Sequence, residues 1–218
     1  MPFAGDLSAQ IQELVLMIPA ILFAVTFHEV AHGWVAEKFG DPTARLAGRL
    51  TLNPLPHIDP IGALMFIIAK FGWAKPVPVN PYNLRHPVRD MMWIAAAGPA
   101  ANLMLASLSL LAVQLLSPVL RSLGTQFFSQ PVLGILLWTY LLNLHLAAFN
   151  LIPIPPLDGS QILKGFLPRG ALSQYERLEP YGFILLILFL ISGAAPIVLH
   201  PIVSILRFFA GIPVRALT

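Results

Sequence analysis

Cysteine is absent from the 218 residues, which excludes disulfide bonds and thiolate metal sites. Any bound metal must therefore be held by His, Asp or Glu. Charge is also scarce: Asp, Glu, Lys and Arg make up 11% of the chain, against roughly 25% in an ordinary soluble domain. Hydrophobic residues make up 57%, and a soluble protein of this composition would expose large apolar patches and aggregate. The composition therefore predicts a polytopic membrane protein.

Positive charge is present but is not concentrated on one surface. The formal net charge is +3, and the lysines and arginines are spread through the segments that separate apolar stretches. A nucleic-acid-binding surface needs a basic stripe or patch. We therefore expect no nucleic-acid partner, and we expect these charges to orient the chain in a lipid bilayer.

Four apolar stretches are long enough to cross a bilayer as helices, which takes about 20 residues each. They are Leu14–Val35, Met91–Leu120, Pro131–Leu146 (with uncharged sequence continuing to Leu157) and Tyr181–Leu199. Of two shorter stretches, Ile61–Phe71, which Lys70 interrupts, could be re-entrant or interfacial, and Ile202–Ile212 could be a short interfacial helix. The predicted fold class is an all-α polytopic membrane protein with a helical transmembrane core.

Two segments near the predicted membrane surface have the pattern of extended chain. Arg45–Leu52 alternates polar and apolar residues, as a half-buried strand does. Trp73–Asn83 contains three prolines and cannot be helical throughout. We therefore expect one or two short strands at the membrane surface, beside the re-entrant element.

Basic residues follow the first predicted span, precede the second, and separate the third from the fourth. They are Lys38, Arg45, Arg49, Lys75, Arg85, Arg89, Lys164, Arg169 and Arg177. Only Arg121 lies between the second and third spans. By the positive-inside rule the three basic loops are cytoplasmic, provided that Ile61–Phe71 returns to the side it came from. This topology brings the end of the first span and the region around Asp158 to the same cytoplasmic depth.

The strongest chemical pattern is His28-Glu29-Val30-Ala31-His32, within the first span. Residues four apart lie on one face of a helix, so both imidazoles can reach one metal ion. Glu29 lies beside them and can accept a proton from a water that the metal activates. Ionisable groups in a membrane span are costly to desolvate and usually functional. We therefore favour a metal site over a chance match.

A catalytic zinc site usually has three protein ligands and one open position, so the third ligand must come from another segment. Asp158 follows the uncharged run FNLIPIPPLDG, whose three prolines prevent a regular helix. Non-helical backbone at membrane depth is tolerated where it lines a cavity, which makes this carboxylate a candidate ligand. The alternative is that Asp158 caps a helix that begins at Gly159 or Ser160.

Other polar residues have more than one interpretation. Asn102, in the second span, could bond to a neighbouring helix or support the catalytic centre, and we favour the structural bond. His145, in the third span, is typical of a packed, hydrogen-bonded histidine, with a supporting role at the metal as the alternative. His57 and Asp59 could form a second metal pair, although their spacing on a proline-rich turn is more typical of loop or cap residues.

These motifs together resemble the site-2 protease family of intramembrane metalloproteases. HEVAH in the first long span and NLIPIPPLDG at Asn150–Gly159 are the two metal motifs of that family. GRLTLNP at Gly48–Pro54, AKPVPVNP at Ala74–Pro81 and AGPAAN at Ala97–Asn102 extend the similarity over nearly the whole chain.

The resemblance implies that His28, His32 and Asp158 bind one zinc ion. It also implies that Glu29 is the general base and then the general acid toward the leaving amine, and that Asn150 contacts the scissile peptide or its oxyanion. Residues 1–218 would form a single transmembrane metalloprotease domain, a minimal member without the PDZ or CBS domains of other members.

The resemblance further implies a transmembrane protein as substrate, cut in or near a membrane-spanning segment, as in regulated intramembrane proteolysis. We expect the enzyme in a prokaryotic cell (inner) membrane, with its active site toward the cytoplasm. Two alternatives stay open. A membrane metal transporter would also need His and Asp within the bilayer, although it would not need Glu29 beside a ligand. A catalytically inactive relative would only bind membrane segments.

Overall fold

The computed structural model describes residues 7–69, 72–122 and 126–209. Its helices are α1 (Leu7–Lys38), α2 (Thr43–Leu46), α3 (Pro60–Ala69), α4 (Pro87–Ser122), α5 (Gln126–Asn150), α6 (Asp158–Lys164), α7 (Arg169–Glu176), α8 (Gly182–Ile191) and α9 (Ala194–Phe209). Short 3-10 turns lie at Leu55–His57, Pro81–Asn83 and Glu179–Tyr181. These described ranges contain no β-strand, and the all-α fold class is confirmed.

Within the described residues, three helices are long and apolar enough to cross a membrane: α1, α4 and α5. Their candidate spans are Ile11–Lys38, Pro87–Leu120 and Ser129–Asn150, which contain the first three predicted spans. Large apolar side chains on these helices, such as Leu108 and Leu115, are exposed, as expected of surfaces that face lipid rather than water. The chain is therefore an integral, multi-pass membrane protein.

The three spanning helices pack against one another, and many of the buried contacts are made by alanine. The buried alanines of these helices include Ala20, Ala24, Ala36, Ala95, Ala106, Ala147 and Ala148. Small residues allow helix backbones to approach closely. In a bilayer the lipid is as apolar as the side chains, so close van der Waals packing drives the association of helices. Tyr140 and Leu144 of α5 fill the larger space toward α9. Helix α6 packs on α4 and is thereby held against the bundle.

The predicted fourth span is wrong as a single helix. Helices α8 and α9 meet at 90° across a break at Ser192 and Gly193. Gly193 has φ +77°, a conformation that glycine adopts without steric cost, so it permits the sharp turn. The interfacial helix predicted at Ile202–Ile212 is part of α9 instead, and residues 210–212 lie outside the described ranges. The α8–α9 pair could count as a fourth span only as a bent pair.

The predicted strand at Arg45–Leu52 is also wrong. Helix α2 occupies its start, and Gly48 turns the chain at φ +67°. Asp41 Oδ1 accepts hydrogen bonds from the N–H and the hydroxyl of Thr43 at 3.1 and 2.5 Å. A side chain that bonds to the backbone two residues later begins a turn rather than a strand. The alternation of polar and apolar residues could not reveal this bond.

Trp73–Asn83 is largely extended, as its prolines predicted, but it forms no regular strand. One isolated antiparallel bridge joins Ala74 to Ile58, and Pro81–Asn83 forms a 3-10 turn. Pro76 lacks the N–H that a strand ladder needs, so pairing cannot continue past Lys75.

The predicted re-entrant segment Ile61–Phe71 contains α3 and returns to the place where it left. The Lys75 N–H donates to the His57 carbonyl at 2.9 Å, next to the bridge between the two flanking segments. The chain therefore enters and leaves α3 at one level, which the topology from basic residues required. Lys70 and Phe71 lie outside the described residues.

Asp41 fastens the extended segment to the end of α1. Its side chain is fully buried, and its Oδ2 and Oδ1 accept hydrogen bonds from Asn80 N–H and Asn83 Nδ2, both at 2.7 Å. Burial acts to raise the pKa of Asp41, but the hydrogen bonds from Thr43, Asn83 and Asn80 outweigh it and lower the pKa below its ordinary value. The carboxylate is therefore a structural anchor at neutral pH.

We expect Asp41→Ala to lower the free energy of unfolding by on the order of 3 kcal/mol, because several donors lose a charged acceptor. Since the folded pKa is lowered, this contribution is complete above about pH 3.9 and is lost as the pH falls through the folded pKa. Thermal unfolding in detergent at neutral and acidic pH measures the difference between variant and wild type. Equal stability of the two proteins at pH 7 would contradict the anchor role.

Candidate metal centre

His28 and His32 lie one turn apart on α1, and their Nε2 atoms are 3.0 Å from each other. Asp158, the first residue of α6, completes the group. Its Oδ2 lies 3.1 Å from His28 Nε2, and its Oδ1 lies 3.4 Å from His32 Nε2. One ligand atom from each of the three residues lies within 4.8 Å of the others. The two sequence segments that were predicted to share a site therefore meet.

The path of the chain explains the position of Asp158. Helix α5 ends at Asn150, and the three prolines that follow prevent its continuation. Leu157 has extended backbone and occupies the cap position of α6. Asp158 therefore lies in the first turn of the helix rather than at its cap, and its carboxylate contacts the histidines.

Hydrogen bonds on the far side of each imidazole determine which nitrogen faces the site. His32 Nδ1 lies 2.7 Å from the carbonyl oxygen of Ile94. A carbonyl oxygen can only accept, so Nδ1 carries the proton, and in the neutral imidazole that a metal ion binds Nε2 presents a lone pair. His28 Nδ1 lies 2.6 Å from Asn102 Oδ1, which is also an acceptor. Both histidines therefore turn an unprotonated Nε2 toward Asp158.

When both imidazoles are neutral, three groups that can only accept converge at this point. Asp158 Oδ2 is buried and accepts no hydrogen bond from the described residues. An ionised Asp158 carboxylate offers only acceptor oxygens and adds a negative charge beside the two neutral imidazoles. Such a cluster is repulsive unless a cation lies within it. Two imidazoles and one carboxylate form a typical donor set of catalytic zinc, and these residues fit that ion.

Glu29 is buried beside the cluster and is held by a backbone donor. Its Oε2 accepts a hydrogen bond from the Val77 N–H at 2.7 Å. Pro76 and Pro78 have no N–H, so Val77 is the only donor among these three residues. The bond orients the carboxylate of Glu29 without neutralising it, as a general base requires.

The extended segment that carries Val77 is fixed on both sides of this bond. Before it, Arg49 Nη2 donates to the Lys75 carbonyl at 2.6 Å. After it, the Asn80 N–H donates to Asp41. The position of Glu29 therefore depends on contacts from three separate parts of the chain. The sequence pattern AKPVPVNP marked this segment through its resemblance, but periodicity did not predict that Val77 would contact Glu29.

Asn150, the predicted oxyanion donor, is the last residue of α5. Its Nδ2 donates to the Leu146 carbonyl one turn earlier, at 3.1 Å. Among the described residues, no hydrogen bond joins Asn150 to Glu29 or to Asp158. Its role toward the substrate therefore stays a prediction.

Gly98 is a residue of the site to which sequence reasoning assigned no role. A Cβ at this position would lie 2.5 Å from His32 Cε1 and Nε2, and 2.6 Å from His28 Cε1. Helix α4 therefore passes the two imidazoles where only a hydrogen atom fits. A signal was present, because glycine within a helix costs about 1 kcal/mol relative to alanine and needs a reason such as close packing.

We expect Gly98→Ala to reduce proteolysis about 100-fold, because the new methyl group must displace one or both imidazoles and small misplacements at a reacting centre are costly. Zinc content and cleavage rate of the purified variant measure this effect. Gly170→Ala is the matched control, since a Cβ there meets nothing within 4 Å. A Gly98→Ala enzyme with normal zinc content and rate would show that α4 does not constrain the histidines.

The remaining polar candidates are accounted for by local bonds. Asp59 Oδ1 accepts from the Gly62 N–H at 2.8 Å and so caps the start of α3, as the cap interpretation predicted. His57 is buried, with Nε2 2.9 Å from the Thr51 carbonyl. His145 is exposed rather than packed, and its Nδ1 lies 2.7 Å from a carbonyl of its own helix.

Comparison with known proteins agrees with this geometry. Residues 16–192 match the model of peptidase family M50. The chain is 38% identical over 208 residues to YwhC of Bacillus subtilis, covering 90% of this chain and 91% of that protein. It is 32% identical over 190 residues to Rip2 of Mycolicibacterium smegmatis, covering 83% and 68%.

A third relative comes from an archaeon. The chain is 30% identical over 183 residues to the zinc metalloprotease MJ0392 of Methanocaldococcus jannaschii, covering 80% of this chain and 43% of that protein. No solved structure gives a significant match. The family match covers far more than half of the chain. This chain therefore belongs to peptidase family M50, the site-2 protease family, and is a membrane-embedded zinc metallopeptidase.

Proposed function

We propose that this zinc metallopeptidase is an intramembrane protease, which hydrolyses peptide bonds in or near transmembrane segments of membrane proteins. The observation that carries the proposal is the position of His28 and His32 within the candidate span Ile11–Lys38. A site within a membrane-spanning helix is suited to a substrate that is itself in the membrane rather than to a soluble one. In this proposal residues 1–218 act as one transmembrane metalloprotease domain.

His28, His32 and Asp158 are the proposed ligands of one zinc ion. Zinc held there supplies Lewis-acid chemistry, which activates water near neutral pH and polarises a carbonyl group. The three residues present two neutral nitrogens and one negative charge, and the two imidazoles are fixed from outside the cluster by Asn102 and by the Ile94 carbonyl. Because these groups are already held in place, no further entropy has to be lost to position them when the substrate reacts.

Glu29 is the proposed proton carrier. It accepts a proton from the attacking water while the water oxygen forms a bond to the scissile carbonyl carbon. It then donates that proton to the amide nitrogen as the carbon–nitrogen bond breaks, so that one water and one peptide bond yield a carboxylic acid and an amine. The Val77 N–H holds Glu29 Oε2 throughout.

Asn150 is the proposed donor to the developing oxyanion. Its amide now bonds to its own helix, so it must turn when substrate enters. The substrate itself must be extended at the cut, because a helical peptide bond is shielded by its own hydrogen bonds. The extended Lys75–Asn80 segment lies next to Glu29, and its remaining carbonyl groups can accept hydrogen bonds from such an extended substrate.

The basic loops support the proposed location. By the positive-inside rule they favour a site toward the cytoplasmic side of the membrane, which we propose is a prokaryotic cell membrane. The return of α3 to its starting level, through Lys75 and His57, is consistent with that topology. Accessibility of single cysteines introduced into the loops of this cysteine-free chain would measure the orientation directly.

The proposed function is tested with purified protein in liposomes. A panel of single-span model proteins and matched soluble versions without the span are incubated with it, and new termini are mapped by mass spectrometry. We expect cuts within or close to the span and none in the soluble versions. Cuts confined to the soluble versions would contradict an intramembrane site. Zinc flux without cleavage would identify a transporter, and bound zinc with neither activity would identify an inactive relative.

A further inference from the structure

Two asparagines lie fully buried behind the metal cluster, where α1, α4 and α5 meet. Asn102 of α4 and Asn143 of α5 both have 0% exposure. Asn102 Nδ2 donates to Asn143 Oδ1 at 2.7 Å and to the Ala24 carbonyl of α1 at 3.0 Å. Asn143 Nδ2 in turn donates to the Thr139 carbonyl at 2.8 Å. A hydrogen-bonded chain thus leads from the backbone of α5 to α1.

The backbone carbonyls at the ends of this chain determine the direction of every bond in it. A carbonyl can only accept, so the NH2 group of Asn143 must face Thr139 and its oxygen must face Asn102. The NH2 group of Asn102 then faces Asn143 and Ala24, which uses both of its hydrogens. Only Asn102 Oδ1 is left to face His28.

The consequence for His28 follows from the same logic. Asn102 Oδ1 accepts, so His28 Nδ1, at 2.6 Å, must carry the proton. The other nitrogen, Nε2, is then unprotonated and faces Asp158 at 3.1 Å. If the two amides were absent, neutral His28 could adopt the opposite tautomer, with a proton on Nε2 directed at the metal position.

We propose that Asn102, held by Asn143, is a positioning residue that fixes the tautomer and ring orientation of His28 for metal binding. The inference rests on the proposed metal ligands. It adds that Asn102 and Asn143 select the His28 tautomer that can bind the metal. A polar pair within the membrane core also bonds helices together, as Asn102 and Asn143 do here. Its effect on the metal is therefore separable from its effect on stability.

Zinc affinity of three variants tests the proposal. Asn102→Leu has similar volume but no acceptor, and we expect its affinity for zinc to fall about 10- to 100-fold in chelator competition. Asn102→Asp keeps an acceptor toward His28, and we expect it to recover most of the affinity although it loses the two donors. Ser109→Ala, which alters another buried polar residue seven positions later on α4, should bind zinc as the wild type does.

The pattern among these variants separates positioning from packing. A purely structural role predicts that Asn102→Asp is no better than Asn102→Leu, since both break the bonds to Asn143 and Ala24. That result, or wild-type zinc affinity in Asn102→Leu, would overturn the proposal. Wild-type protein that binds no zinc would instead overturn the proposed metal site and function, so the two failures are distinguishable.

A measurement on the wild type keeps the proposal testable if Asn102→Leu does not fold. Nitrogen-15 NMR of histidine-labelled, zinc-loaded protein in detergent distinguishes protonated from metal-bound ring nitrogens, and the His28 signals are assigned by comparison with a His28→Gln sample. We expect His28 to have its proton on Nδ1 and its Nε2 free of one. A proton on Nε2 would overturn the inference.

Discussion

The Glu29→Gln enzyme should bind zinc at the wild-type level and lose proteolysis by about 10²- to 10⁴-fold, which is the usual contribution of a general acid–base group. The glutamine side chain has the same shape, and its carbonyl oxygen can still accept from the Val77 N–H that holds Glu29 at 2.7 Å. The amide cannot take up a proton from water. The variant therefore removes proton transfer at this position while it preserves the position of the side chain.

The zinc content of the variant measures whether the metal site is retained, and cleavage of a single-span substrate measures the loss of proteolysis. Glu37→Gln is the matched control, because Glu37 lies eight residues later on the same helix and pairs with Arg45 at the surface. Exposed ion pairs contribute little, so this control should keep both zinc and activity. Cleavage by Glu29→Gln at the wild-type rate would remove Glu29 from the base role. Loss of zinc would mean that Glu29 is needed to hold the metal rather than to transfer a proton.

The second large effect is expected from Asp158→Ala, which should lose most of its zinc and, with it, activity. Wild-type protein purified in detergent should contain about one zinc per chain. Without Asp158, two neutral imidazoles remain, with no negative charge to balance the ion. Elemental analysis of metal content needs no knowledge of the substrate, so this experiment can come first.

Asp59→Ala provides the control for this experiment. Asp59 is also a carboxylate that follows proline-rich sequence at the start of a helix, but it caps α3 through Gly62. We expect it to keep its zinc. Zinc retained in Asp158→Ala but lost in Asp59→Ala would assign the metal to His57 and Asp59 instead. Zinc retained in both would mean that the third ligand lies elsewhere.

The fold was predictable where one physical property sufficed. Hydrophobicity over about 20 residues located α1, α4 and α5, because a bilayer leaves a long apolar helix few alternatives. The fourth span failed because hydrophobicity does not register a backbone turn, and Gly193 at φ +77° bends the chain by 90°. The strand at Arg45–Leu52 failed because the side chain of Asp41 bonds to Thr43 and starts a turn.

Some residues of the candidate site could likewise be predicted from local sequence patterns, and others could not. Spacing of four on a helix was enough to place His28 and His32 on one face, and the lone carboxylate after the proline-rich run drew attention to Asp158. Asn143 went unnoticed although a polar residue in a membrane span is a signal in itself. A glycine within a helix, Gly98, indicated a close contact, but no local pattern could show that the contact is with both imidazoles.

The sequence by itself determined the class of protein, the three long spans and the chemical identity of the candidate metal ligands, because composition, helical periodicity and ligand chemistry are local properties. Only the tertiary structure decided how those groups are held. Asn102 meets His28 across 74 positions of sequence, and Val77 meets Glu29 across 48. Contacts of this kind arise from how helices and extended segments pack, and packing depends on the whole chain at once.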